Sequence, residues 1–192
     1  MINILSKNQR SAKLTITPAK RGRSAFTLLE TVTVLFIISV GLIGVLSLTI
    51  KSANVQNENK NLFIASQLAQ EGLELVRNVR DTNWILSTSS APIAWDRYIE
   101  GNASGQRYRI DYVNFIPTSV NDISEARLQR QSTGSEAGFF LHDSGQPDSI
   151  FSRLITITSS TSTAETVSSL VVWEENGKVS TYKLETMLYD WK

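Results

Sequence analysis

Between Thr31 and Ile50 the chain carries no charged side chain, and most positions are Val, Leu, Ile or Phe. Roughly 20 such residues at about 1.5 Å each span the hydrocarbon core of a bilayer, about 30 Å thick. A segment of that kind limits the fold to a helix, because lipid offers no partner for an open backbone. Six basic residues precede it, Lys7, Arg10, Lys13, Lys20, Arg21 and Arg23, with no Asp or Glu among the first 25 positions. That asymmetry predicts a cytoplasmic N-terminal side and an exported C-terminal bulk. An ordinary secretory signal fits poorly, since the run is longer than a signal core and the small pair Ser24-Ala25 lies before it.

Glu30 is a carboxylate just inside this otherwise uncharged run. An isolated charge in hydrocarbon costs several kcal/mol, so the residue needs either an interfacial position or a partner.

Arg23-Ser24-Ala25-Phe26-Thr27-Leu28-Leu29-Glu30, followed by the apolar helix, resembles the type IV prepilin cleavage motif. That family includes the pilins and the type II secretion pseudopilins. The resemblance implies that Ala25 ends a leader and that Phe26 begins the mature chain with a methylated α-amine. It also implies that Glu30, fifth in the mature chain, neutralises the N-terminal ammonium of a neighbouring subunit. Ala25 departs from the usual Gly of the motif. The absence of proline between Pro18 and Pro92 resembles minor pilins and pseudopilins more than major ones. Implied partners are a prepilin peptidase, other pilin subunits, an inner-membrane assembly platform and membrane lipid. The expected location is the inner membrane, single-pass with the head exported, and then a surface or periplasmic filament.

The uninterrupted stretch predicts a helix from about Thr27 to about Arg80. Beyond Lys51, Leu62, Ala65, Leu68, Ala69, Gly72, Leu75, Val76 and Val79 recur at steps of three and four, which marks one apolar face. Gly41, Gly44 and Ser47 form a small-residue ridge in the membrane half. The mixed charges from Arg77 to Trp84 are expected to close the helix with ordinary salt bridges.

The rest reads as strands. Tyr108, Ile110 and Tyr112 alternate with polar residues, Phe139 to Leu141 is a short apolar run, and Phe151 to Thr158 is rich in Ile and Thr. Val167 to Trp173 and Lys178 to Leu188 flank Glu175-Asn176-Gly177, and Asn-Gly favours a tight hairpin turn. A short helix is expected near Glu125 to Gln131, and an exposed loop over Ser159 to Thr166. The predicted fold is α+β: a long N-terminal helix, half membranous and half amphipathic, packed on an antiparallel β-meander head. Its expected divisions are a leader at 1–25, a membrane half at 26–50, an amphipathic half at 51–84 and a head at 85–192.

Catalytic chemistry is hard to assemble here. There is no cysteine, and one histidine, His142, is expected on the surface at a strand end. Asp143 to Asp148 has oxygen donors suited to calcium, but its residues are also plain turn formers. No cofactor, metal site or catalytic residue is assigned. Without the first 25 residues 13 basic residues face 18 acidic ones. Nucleic acid is therefore an unfavoured partner for Arg107, Arg109, Arg127 and Arg130. The expected role is a non-enzymatic filament subunit. The alternative is a monomeric single-pass protein whose exported β domain binds a ligand or partner.

Overall fold

The computed structural model describes residues 27–113, 115–142 and 145–191. The chain is α+β, with one long helix, α1 (Leu28–Leu86), followed by seven strands in one antiparallel sheet. It divides into two compact units between Ile50 and Lys51, within the helix. In the first unit α1 is apolar on all sides and fully exposed, with a mean hydropathy of 2.5 over its most apolar window. It is the one helix among the described residues long and apolar enough to cross a membrane.

In the second unit α1 lies on the sheet by its apolar stripe. Ala65, Leu68 and Ala69 meet Leu128, Phe151, Val171 and Trp173. Leu73, Val76, Val79 and Trp84 meet Ile155, Ile157, Val167 and Leu188. Burying each such aliphatic side chain is worth about 1.5–3 kcal/mol. The small residues let the helix sit close. A Cβ on Gly72 would lie 2.7 Å from Ser169 Oγ and 2.8 Å from Ile155 Cδ1. Gly72→Val is therefore expected to cost about 1–3 kcal/mol through overpacking, read as a lower thermal midpoint of the full chain in detergent.

The helix runs past the expected end at Arg80 to Leu86 because its last turn is held from outside. Asn83 Nδ2 donates to the carbonyls of Trp95 at 3.1 Å and Arg97 at 2.8 Å. Arg77 pairs with Glu74, and Arg80 pairs with Asp81 and stacks 4.5 Å over Trp84. These are the intrahelical contacts expected of that segment.

The strands are β1 (Gln106–Arg109), β2 (Thr118–Ser119), β3 (Arg127–Arg130), β4 (Phe140–Leu141), β5 (Asp148–Thr161), β6 (Ala164–Glu175) and β7 (Lys178–Tyr189). Strands β5, β6 and β7 form the expected meander. The earlier strands add to the other edge of β5, β1 opposite Ile155 to Ile157 and β3 opposite Asp148 to Ser152. The β6–β7 turn is Asn176-Gly177, with φ of 53° and 76°. Both values are positive, as a type I′ hairpin turn requires.

Three expectations on the head need correction. Glu125 to Gln131 is not a helix. A single 3₁₀ turn, Ile123–Ala126, opens on an Asp122 side chain that accepts from Ser124 N–H, and β3 follows because fully buried Leu128 belongs to the core. Ser159 to Thr166 is not a loop, since Thr161 pairs with Ala164 and only Ser162-Thr163 turns. Its β-branched residues suit strand ends, and both Ala164 and Glu165 are buried. The alternation from Tyr108 to Tyr112 does not remain strand beyond Arg109, because Asp111 turns towards His142.

Candidate functional site: the anchor carboxylate and the buried ion network

The membrane-type segment begins with a cap. Thr27 Oγ1 accepts from Glu30 N–H at 3.2 Å, the first half of a Thr-x-x-Glu capping arrangement. Glu30 sits in the first turn, where a negative charge complements the helix dipole. Among the described residues no cation pairs with it. Ala25 and Phe26, the expected processing site and amine partner, lie outside the described residues. The hydroxyls of Thr31, Thr33, Ser39 and Thr49 each donate to a carbonyl three or four residues back, at 2.7–2.9 Å. Bonded this way, they do not oppose burial in lipid. Nothing lies within 4 Å of a Cβ at Gly41 or Gly44, so the small-residue ridge is open to a neighbouring helix.

The second unit holds a charge cluster that sequence reasoning passed over. Arg153 is fully buried in β5 beneath α1. Its Nη2 donates to Ile110 O at 2.7 Å and its Nη1 to Leu68 O at 3.4 Å. Glu71 lies 3.0 Å away and Asp111 3.7 Å away. Asp111 in turn accepts from the backbone N–H of His142, with Nδ1 of that ring 2.8 Å from Oδ1. His142 is therefore not a surface residue: its side chain is 2% exposed, drawn inward by Asp111. Burial pushes the Asp111 carboxyl up, but the His142 hydrogen bond and the Arg153 charge outweigh it and hold the pKa below the usual value. Arg153 was legible after all. Residues 151, 153, 155 and 157 share one face of the strand, so its parity places it with Ile155 and Ile157.

Comparison of the chain with protein-family models, curated proteins and solved structures returns no match.

A second buried carboxylate ties the segment after α1 to the sheet. Glu165 Oε1 accepts from Gly101 N–H at 2.6 Å, while Oε2 is buried with no partner among the described residues. Burial, and then the carboxylates of Asp96 and Glu100, push its pKa up to about 7 against one opposing hydrogen bond from Gly101. Tyr108, which donates to Glu100 O at 2.8 Å, is pushed up to about 12 by burial and then by the carboxylates of Glu100 and Glu165.

Three of the four arginines considered for nucleic acid are engaged locally. Arg107 donates to Asn121 O, Arg109 to Glu125 O, and Arg127 pairs with Asp148. Asp148, weighed for calcium, also accepts from Gln129. Among the described residues no group of three or more His, Asp or Glu side chains is placed to hold a metal; Asp143 and Ser144 lie outside them.

Proposed function

We propose that this chain is a non-enzymatic structural subunit of a filament of the type IV pilin or pseudopilin kind, processed before Phe26, methylated there and assembled through its N-terminal helix. The observation that carries the reading is Glu30, a carboxylate without a cation partner among the described residues, at the head of a charge-free span of membrane length. In a bilayer such a charge is costly alone and tolerable beside an ammonium group, which a new N-terminus on a neighbouring subunit would supply. The same pairing sets register between subunits and favours the filament over free bilayer. The exposed Gly41 and Gly44 ridge supports close helix approach in that assembly.

The capping contact of Thr27 favours a second reading: a monomeric single-pass protein in which Glu30 only finishes a helix end. Glu30→Gln separates the two. Glutamine keeps the capping pattern and removes the charge. The filament reading expects normal membrane insertion with incorporation into filaments reduced at least tenfold, scored by shear fractionation. Normal incorporation would leave the cap as the residue's role. Processing is tested by the intact mass and N-terminal sequence of the membrane-bound protein with and without a prepilin peptidase. A chain beginning at methylated Phe26 only when the peptidase is present is the expected result. A retained leader, or a cut beyond Ile50, would overturn it.

A further inference from the structure

Strand β7 is an open edge. It pairs with β6 over all 12 of its residues, without a register shift, and no strand covers its other side among the described residues. Nor does any backbone group from Lys178 to Tyr189 bond elsewhere among the described residues. Natural edges are usually blunted by proline, bulges or charged side chains; β7 has no proline and no bulge, and its charges, Lys178, Lys183 and Glu185, are of both signs. Tyr182, Leu184 and Leu188 pack towards α1, while Val179, Lys183, Glu185, Met187 and Tyr189 are exposed on the opposite face.

The order of those exposed residues selects an occupant. We propose that the β7 edge docks the β7 edge of a second copy of this chain, antiparallel, with Leu184 opposite Leu184. A two-fold axis normal to the sheet brings residues of the same face together. In this register Lys183 meets Glu185 twice, and Val179 meets Tyr189 twice. Lys178 meets Asp190 at both ends, so almost the whole strand is used. Lys183 and Glu185 already attract each other along one strand, at 2.6 Å. Across the axis each gains a partner from the other copy. A shift of the axis by one residue sets Lys183 against Lys183, or Glu185 against Glu185. Opposite charges directly across strands stabilise and like charges destabilise, so the charge pattern favours this register over both adjacent ones.

The contact lies outside the packing proposed for the filament. Glu58 bonds Lys178 at 3.1 Å, and Trp84 stacks on Trp191 at 4.4 Å, so α1 runs alongside β7 in the same sense. Antiparallel β7 edges therefore join two copies whose helices point in opposite directions. That suits a contact between facing assemblies, not between neighbours in one. It holds or fails without reference to Glu30.

The test uses the full chain in detergent micelles, by sedimentation equilibrium. Lys183→Glu puts like charges opposite each other at two places and is expected to raise the dimer dissociation constant about tenfold or more. Lys183→Glu with Glu185→Lys is expected to restore it. Both side chains are exposed, so the circular dichroism spectrum should not change. The absence of native cysteine allows a second measurement. Val179→Cys with Tyr189→Cys should give a covalent dimer under mild oxidation, and Thr181→Cys with Tyr189→Cys should not. A chain that stays monomeric overturns the proposal. So does a dimer indifferent to Lys183→Glu, a charge swap that fails to restore it, or equal cross-linking by both cysteine pairs.

Discussion

Arg153→Ala is expected to cost the head about 3–5 kcal/mol, the usual result of breaking a buried ion pair from one side. The guanidinium is enclosed between α1 and β5, and its removal leaves Glu71 and Asp111 without the cation they share. It also leaves the carbonyls of Leu68 and Ile110 without their donor. The damage should be shared unequally. Asp111 is 17% exposed and keeps its bonds from His142, whereas Glu71 is 37% exposed and can turn to water. Adding Asp111→Asn to Arg153→Ala should therefore recover more stability than adding Glu71→Gln. Urea unfolding of the full chain in detergent, followed by tryptophan fluorescence, measures all three. An Arg153→Ala loss under 1 kcal/mol would show that water reaches the cluster and that the ion pairs count for little.

The second large effect is a pH slope. Glu165 has a folded pKa of about 7, above its ordinary value of 4.5. Between those values the native state holds a proton that the unfolded chain has released, so stability falls as pH rises through this window and levels off above it. The linkage is about 1.4 kcal/mol per pKa unit; reduced for solvent screening, it gives a loss on the order of 1–2 kcal/mol between pH 5 and 8. Glu165→Gln keeps an acceptor for Gly101 N–H and cannot ionise. Its stability should fall less than the native chain's over the same interval, by about that amount. The difference in slope is the measurement, because a buried amide brings its own cost at every pH. Parallel slopes would mean that the carboxylate is ionised throughout.

The long-range features of this chain were legible where one physical signal dominated. The charge-free run and the steps of three and four after Lys51 announced α1. The Asn176-Gly177 pair located the last hairpin to the residue, since few other sequences favour positive φ twice in succession. Short elements were not legible. β2 and β4 have two residues each, too few for any period, and exist because β1 and β3 present edges to them. Residues Ser159 to Thr166 misled because Ser and Thr serve loops and strands alike, and pairing with β6 decided between them. His142 misled for a different reason. A lone histidine has no pattern, and only the fold brings Asp111 next to it across 31 residues. Glu30, by contrast, stood out from sequence alone, because a charge is conspicuous where its neighbours have none.

The helix face from Ala65 to Val79 has a folding consequence. It is covered by β5, β6 and β7, residues that follow it by some 80 to 110 positions. Nearer residues such as Ile99, Tyr108, Ile110 and Leu128 join the same core, but most of the cover comes from this distant hairpin, and contacts so distant in sequence form late. During synthesis the stripe therefore stays partly uncovered until the final hairpin has emerged. In that interval the chain is open to aggregation and dependent on holding factors. A stop codon before Ala164 would remove two strands and strand the helix in that state, making the product a substrate for proteolysis.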